Sequence, residues 1–221
     1  MRFRALPFPV WEDHRGAVEA RFVGRGPAGD RAAVYEALGT GLTAPVAWAK
    51  QIHSNHVLPA RPGACGEGDA LVSSESGLVL SVIVADCVPV LLAGDRALAT
   101  VHAGWRGLAS DVIGLTLATL EEPAESLTAW IGPAIGPCCY EVSEEVAEAV
   151  VAASSAAARR DDRGEKPHLD LHAAAHEQLS RRGVSDLRSA PVCTRCHPEW
   201  LWSYRREGPG GGRNHGFLWR S

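Results

Sequence analysis

Three side chains able to hold a divalent metal stand in three separate segments: His53 in Gln51-Ile52-His53, Cys87 in Ala85-Asp86-Cys87 and His102 in Val101-His102-Ala103. Zinc takes thiolate and imidazole ligands. Three protein ligands leave the fourth corner of a tetrahedron open to water or substrate, as in catalytic zinc sites. The spacing matches no compact zinc motif, so a core thiol and two hydrogen-bonded imidazoles form the competing reading. A third reading needs no metal, with Cys87 as nucleophile and His102 as its base. Arg106, inside His102-Ala-Gly-Trp-Arg-Gly, offers a bidentate fork for phosphate or carboxylate, or else a structural ion pair. Its flanking glycines let backbone approach a ligand, and a helix beginning there would present N–H groups to an anion. Arg205 and Arg213 flank the Gly-rich run Gly208-Pro-Gly-Gly-Gly and are further anion candidates, unless the run is a plain surface hairpin. Asp86 either orients a ligand from behind or caps a neighbouring segment.

Other clusters carry weaker signals. His172 and His176 stand at i and i+4, the spacing of a helical zinc site, but the Glu of the protease motif is missing. Cys193-Thr-Arg-Cys196-His197 spells a haem-attachment motif, yet no export signal accompanies it. A single C-x-x-C is weak evidence for zinc, so a turn with adjacent, redox-sensitive thiols is expected. Cys138 and Cys139 are neighbours and are expected to pack against a Gly/Pro loop rather than bridge each other.

The elements that position the three candidate ligands centre on Gly77–Gly107. Two apolar runs meet there at Gly94-Asp95, and a type II′ turn at that pair would set Cys87 directly opposite His102. Pro89 opposes this register, because proline cannot donate to a ladder. His53 lies in the second half of a strand-like run, residues 44–60. Residues 60–74 read as a turn-rich loop and residues 1–25 as one or two strands. Asp30, Ser143 and Asp170 are the expected N-caps of three helices. Residues 108–122 read as one helix that is apolar, and therefore buried, on both sides. Residues 199–221 read as two strands around a Gly-rich loop. Hairpins mixed with helices, without regular βαβ alternation, predict an α+β (mixed α/β) fold of mixed β-sheets flanked by helices.

The chain has 221 residues, 46% hydrophobic content and a formal net charge of -4, which favours a single domain over 1–221 with a sizeable core. No basic face points to nucleic acid, and no apolar run is long enough to span a bilayer. The N-terminal residues lack an apolar signal region. A cytoplasmic protein with reduced cysteines is therefore expected, and each of the six cysteines shifts toward packing, metal binding or catalysis.

QIHSNHV, Asp69-Ala-Leu-Val, ADCVPVLL, VHAGWRG, IGPAIGPCCYEV, LDL, CT and SYRR with a distal Gly-Arg occur in that order. Together they resemble the YfiH/YlmD family, also called laccase-domain or multicopper-polyphenol-oxidase-like, from about His53 to the C-terminus. The chain departs from some relatives at His172 and in CTRCH. The resemblance implies a fold similar to the catalytic domain of cytotoxic necrotizing factor, with His53, Cys87 and His102 as metal ligands. It implies a Zn2+-dependent purine nucleoside phosphorylase acting on adenosine, inosine, guanosine and methylthioadenosine, with adenosine deaminase activity. Purine nucleosides and phosphate would be its partners, the protein a monomer or homodimer. Catalytic roles then fall to Cys87, His102, Arg106 and Asp86, and phosphate binding to Arg106, Arg205 and Arg213. The alternatives are a copper-dependent polyphenol oxidase, a metal-free Cys–His hydrolase and a non-catalytic module that binds purines or cell-wall precursors. The nine histidines and the lack of any His-x-His pair speak against a multicopper centre.

Overall fold

The computed structural model describes residues 1–221 apart from Leu6, residues 27–29, Leu42 and Arg163. Two mixed sheets face each other. The larger runs, edge to edge, Arg2–Arg4, Val10–Arg15, Val18–Val23, Asn214–Arg220, Val79–Val84, Val46–Lys50 and Gly63–Glu67. The smaller runs Asp186–Ser189, Thr128–Ile131, Val88–Ala93, Leu98–Ala103, Ala70–Ser73 and Val57–Pro59. Parallel pairs occur in both, for instance Val46–Lys50 with Val79–Val84 and Thr128–Ile131 with Asp186–Ser189. The expectation of mixed sheets with flanking helices holds.

Burial explains the pairing of the sheets. Val88–Ala93 is buried at every residue. Its odd and even side chains serve different cores. Leu91 and Ala93 join Phe22, Leu80, Leu218 and Trp130 between the sheets. Val90 and Leu92 face the other way, onto Ile113, Leu117, Ala174 and Leu179 from the helices Val112–Leu120 and Leu171–Arg181. A strand covered on both faces reads as an unbroken apolar run. On the outer face of the larger sheet, the helix Arg31–Glu36 sets Val34 and Tyr35 against Val79, Phe217 and Trp219.

Two of the three expected caps hold by side chain: Asp30 accepts from the Ala33 N–H and Asp170 from the Ala173 N–H. Ser143 precedes the helix Glu144–Ala153 but makes no side-chain cap. Residues 108–122 are not one helix. A helix Trp105–Ala109 ends at Ser110, and Asp111, at φ 64°, starts Val112–Leu120. The second helix buries Ile113, Thr116, Leu117 and Leu120 and leaves Leu115 exposed, so it is covered on one side and not on both. The first 25 residues form three strands, and Gly63–Glu67 makes an edge strand where a loop was expected. Residues 199–221 give one strand, because Tyr204–Glu207 turns into a short helix.

The hairpin forms with its register shifted by two residues. Ala93 pairs with Leu98 and Pro89 with His102, and the Gly94 N–H meets the Ala97 carbonyl at 2.9 Å. Gly94 is not at positive φ. Glu122 supplies the reason: its carboxylate accepts the N–H groups of Asp95, Arg96 and Ala97, and a Cβ on Gly94 would lie 2.3 Å from it. The glycine admits a distant carboxylate, which then sets the turn one residue later. Pro89 fits this register. Its neighbour across the other ladder is Gly132, the first residue beyond Thr128–Ile131, which donates to the Pro89 carbonyl at 2.9 Å. A two-residue offset keeps both side chains on one face, so Cys87 and His102 stay on the same side.

Candidate metal and anion site

His53, Cys87 and His102 come together although each leaves a different element. Cys87 lies just before Val88–Ala93, His102 sits inside Leu98–Ala103, and His53 follows Val46–Lys50 in a loop. One donor atom from each lies within 4.8 Å of the others. Cys87 Sγ is 3.9 Å from His53 Nε2, and the two imidazoles meet edge to face at 4.8 Å between centroids. Tetrahedral zinc, with bonds of about 2.3 Å to sulfur and about 2.0 Å to nitrogen, needs such donors roughly 3.5 Å apart. The donor set fits one ion after small rotations.

Asp69 organises the group, and reading the sequence did not assign it a role. Its side chain is fully buried beside His102, whose Nδ1 lies 2.7 Å from Oδ1. The carboxylate also accepts the N–H groups of Ile52, His53 and Ser54 and the Ser54 hydroxyl. Burial opposes its charge, but His102 and Ser54 outweigh that and hold the carboxyl far below the usual range. An ionised carboxylate only accepts, so His102 Nδ1 must donate and Nε2 is left for an ion. The same contacts hold His53 at φ 60°, a left-handed conformation unusual outside glycine. Successive N–H groups around one carboxylate are what make that strained turn stable. The signal in the sequence was Asp69-Ala-Leu-Val, a motif without an evident chemical part.

Gly104 shows how tightly the donors are packed. A Cβ there would stand 3.0 Å from Cys87 Sγ and 3.2 Å from His53 Cδ2. Gln51 fixes the approach to His53 by exchanging two hydrogen bonds with the Ile83 backbone, at 2.7 and 3.0 Å. Burial raises the Cys87 thiol, yet the nearby imidazoles of His102 and His53 lower it to about 6. Burial lowers His102, but the Cys87 charge and the Asp69 hydrogen bond raise it to about 9. Each group's charge thus favours the ionised form of the other, a thiolate beside an imidazolium.

Asp86 sits at φ 93° and faces away from these donors. Its carboxylate accepts from the Thr194 hydroxyl and the Arg205 N–H, each at 2.6 Å, and its carbonyl accepts from the Ile135 N–H at 2.9 Å. These hydrogen bonds tie three segments, at Ile135, Thr194 and Arg205, to the Cys87 turn. Arg106 lies over the Trp105 ring at 4.4 Å, and Arg205 over the Tyr140 ring at 5.2 Å. The helix that starts at Trp105 has only five residues, too few to build a strong dipole. Arg213 instead bonds the carbonyls of Gly211 and Gly212 in its own loop. Tyr140 is a further residue that the sequence did not single out. Burial, and then the negative charges of Cys87 and Asp86, push its phenol up to about 12, with Arg205 and Arg106 pulling the other way. Four charged groups therefore act on one protonated hydroxyl.

His172 and His176 line a cavity of about 570 Å³ with Cys138 and Cys193, apart from the three donors. His172 contacts the Gly132 backbone, and burial pushes its pKa down. His197 turns to Glu199 at 3.2 Å and stacks on Trp200, so its ring does not join the neighbouring thiols.

Residues 28–221 match the family described as multi-copper polyphenol oxidoreductase laccase. The chain belongs to this laccase family. Among its relatives, purine nucleoside phosphorylase YfiH of Escherichia coli (strain K12) is 37% identical over 177 residues, covering 78% of this chain and 72% of that one. Purine nucleoside phosphorylase SCO2081 of Streptomyces coelicolor is 40% identical over 186 residues, covering 80% and 75%. Neisseria meningitidis protein NMB0706 superposes with TM-score 0.84 at 28% identity, over 96% of this chain and 99% of that one. Bacillus licheniformis YfiH shares the fold with TM-score 0.85 at 22% identity, over 99% of both chains. Among the described residues of this laccase-family chain, no helix is long and apolar enough to cross a membrane.

Proposed function

We propose that the chain is a zinc-dependent purine nucleoside phosphorylase, acting on adenosine, inosine, guanosine and methylthioadenosine, with a second activity as adenosine deaminase. The observation that carries this reading is the convergence of His53, Cys87 and His102 on one volume, with Asp69 fixing the His102 tautomer. His53 Nε2, Cys87 Sγ and His102 Nε2 would hold the ion. When bound, zinc supplies a Lewis acid that lowers the pKa of water toward about 7. Relatives named as purine nucleoside phosphorylases support the substrate class.

The chain's own groups have the following parts. Arg106 and Arg205, the two cations that act on Tyr140, take the phosphate oxygens. Arg213, folded onto its own loop, contributes to the shape of that loop. Phosphate oxygen bonds to ribose C1′ as the C1′–purine bond breaks, and the bond pair leaves with the base. Tyr140, protonated well above neutral pH, donates a hydrogen bond to an anionic oxygen. In deamination, water adds to the ring carbon and the amine leaves as ammonia. Gly104 keeps side chains out of the space between Cys87 and His53.

The test is product analysis of each nucleoside with and without phosphate, alongside metal analysis of the purified protein. Free base and the sugar 1-phosphate (ribose 1-phosphate, or methylthioribose 1-phosphate from methylthioadenosine) formed only with phosphate, together with inosine formed from adenosine without it, are the expected results. Phenol oxidation with bound copper in place of both would overturn the reading. A metal-free Cys–His hydrolase is the second reading, favoured by the thiolate–imidazolium pair of Cys87 and His102. Activity that survives chelators but not thiol alkylation would select it.

A further inference from the structure

Cys138, Cys139, Cys193 and Cys196 gather at a place that the proposed reaction does not use. Their four Sγ atoms all lie within 4.8 Å of one another. Cys196 Sγ is 3.5 Å from Cys138 Sγ and 3.4 Å from Cys139 Sγ, and all six cysteines of the chain are unbridged. A disulfide would need about 2.05 Å. Four thiolates around zinc at about 2.3 Å stand roughly 3.8 Å apart, which is the separation these atoms approach. The vicinal pair Cys138-Cys139 thus supplies the second half that the C-x-x-C run lacked.

The surroundings have the features of a thiolate cage. The Gly136 N–H points at Cys193 Sγ at 3.2 Å, and the N–H groups of Arg195 and Cys196 also face that sulfur. Amide donors of this kind offset charge on metal-bound sulfur. Arg206 Nη1 bonds the carbonyls of Thr194 and Arg195 at 2.7 and 2.8 Å, bracing the C-x-x-C turn and placing a cation beside it. Cys138 and Cys196 are exposed, which leaves an ion a way in. Four sulfur donors close the coordination shell, and a closed tetrahedral sulfur set is the structural form of a zinc site.

We propose that Cys138, Cys139, Cys193 and Cys196 bind a second, structural zinc ion that clamps the loop before Tyr140 to the turn at Cys193–Cys196. The clamp bears on the first site through atoms already named. Ala134 bridges Cys193, Ile135 donates to the Asp86 carbonyl, and the Thr194 hydroxyl donates to the Asp86 carboxylate. Asp86 precedes Cys87, and Tyr140 follows Cys139. Loading the cage releases the thiol protons to solvent, and no sulfur changes oxidation state.

The experiment counts metal in the 221-residue chain expressed with ample zinc. The expected contents are two zinc ions in the native protein, one in Cys87→Ala and one in Cys193→Ser/Cys196→Ser. Native and Cys87→Ala proteins with one zinc each would sink the metal reading of the first site and leave the second standing. Because the double serine variant can fail to fold, the Cys87→Ala protein is also titrated with an organomercurial. Zinc should leave in step with the four clustered thiols, while Cys65 titrates without release. Replacing that zinc with cobalt(II) should give the intense visible bands of a tetrahedral thiolate complex. A Cys87→Ala protein without zinc overturns the proposal, as does iron in its place. So does an intact mass two hydrogens short, which marks a disulfide.

Discussion

Beside the His53–Cys87–His102 group stands a buried carboxylate; beside the four cysteines stand backbone N–H groups and Arg206. The contrast follows from the donors. Imidazole is neutral and has two usable nitrogens, so it needs Asp69 to hold one proton in place and to raise its basicity. Thiolates bring their own negative charge, and what they need is positive polarity close by. The first group has three donors, drawn from a loop, a strand entrance and a strand interior, and a gap kept clear by Gly104. The second has four donors from two tight turns. The open set suits chemistry and the closed set suits architecture.

The largest effect that sharpens this contrast is expected from Cys87→Ala. Loss of one donor of three should remove the ion from the first group and lower both phosphorolysis and deamination by about 10³-fold or more. Zinc analysis and initial rates check it, and phosphorolysis at native rate in the metal-free variant would break the zinc-centred scheme.

Asp69→Asn should come next. The side chain keeps its shape but no longer forces His102 Nδ1 to donate, so zinc affinity at the first group should fall about 10–100-fold. Competition with a chromophoric chelator measures this, and an unchanged affinity would remove Asp69 from the account. Gly104→Ala should be milder, because the methyl only crowds Cys87 Sγ and His53 Cδ2. Roughly tenfold weaker zinc binding at unchanged far-ultraviolet dichroism is expected, about 1.4 kcal/mol. The cysteine cage should keep its zinc in both variants, and losing it would erase the distinction between the two groups.

His215 belongs to neither group and separates general acid sensitivity from metal loss. Burial and the Arg31 charge depress it to about 4, against 6.5 unfolded. The unfolded chain therefore binds the extra proton between those values, and stability falls as pH drops from 6.5 toward 4. Below that window the loss is complete, at most about 3 kcal/mol. His215→Phe should flatten this part of the denaturation profile and leave activity at neutral pH unchanged. A profile with the same slope would locate the acid sensitivity elsewhere.

Much of this was legible in the residues. The donors His53, Cys87 and His102 could be chosen by type, and the apolar run Val88–Ala93 announced one arm of the hairpin, though not that both its faces would be covered. Asp30 and Asp170 capped where local chemistry placed them, since a cap needs only a carboxylate and the N–H three residues on. The hairpin register was not legible, because Glu122 captures the turn from outside it. The joining of Cys138-Cys139 to Cys193 and Cys196 was equally hidden, since more than fifty residues separate the two turns.

The sequence by itself determined which atoms could bind metal or anion and which runs had to be buried, because those properties belong to single side chains and to short periodic patterns. Tertiary structure decided which of those atoms meet. Asp69 looks like any acidic residue at a strand entrance until folding sets it between the loop of His53 and the ring of His102. Its strong ionisation is a property of that enclosure: five hydrogen bonds from two distant segments are what overcome the cost of burying its charge.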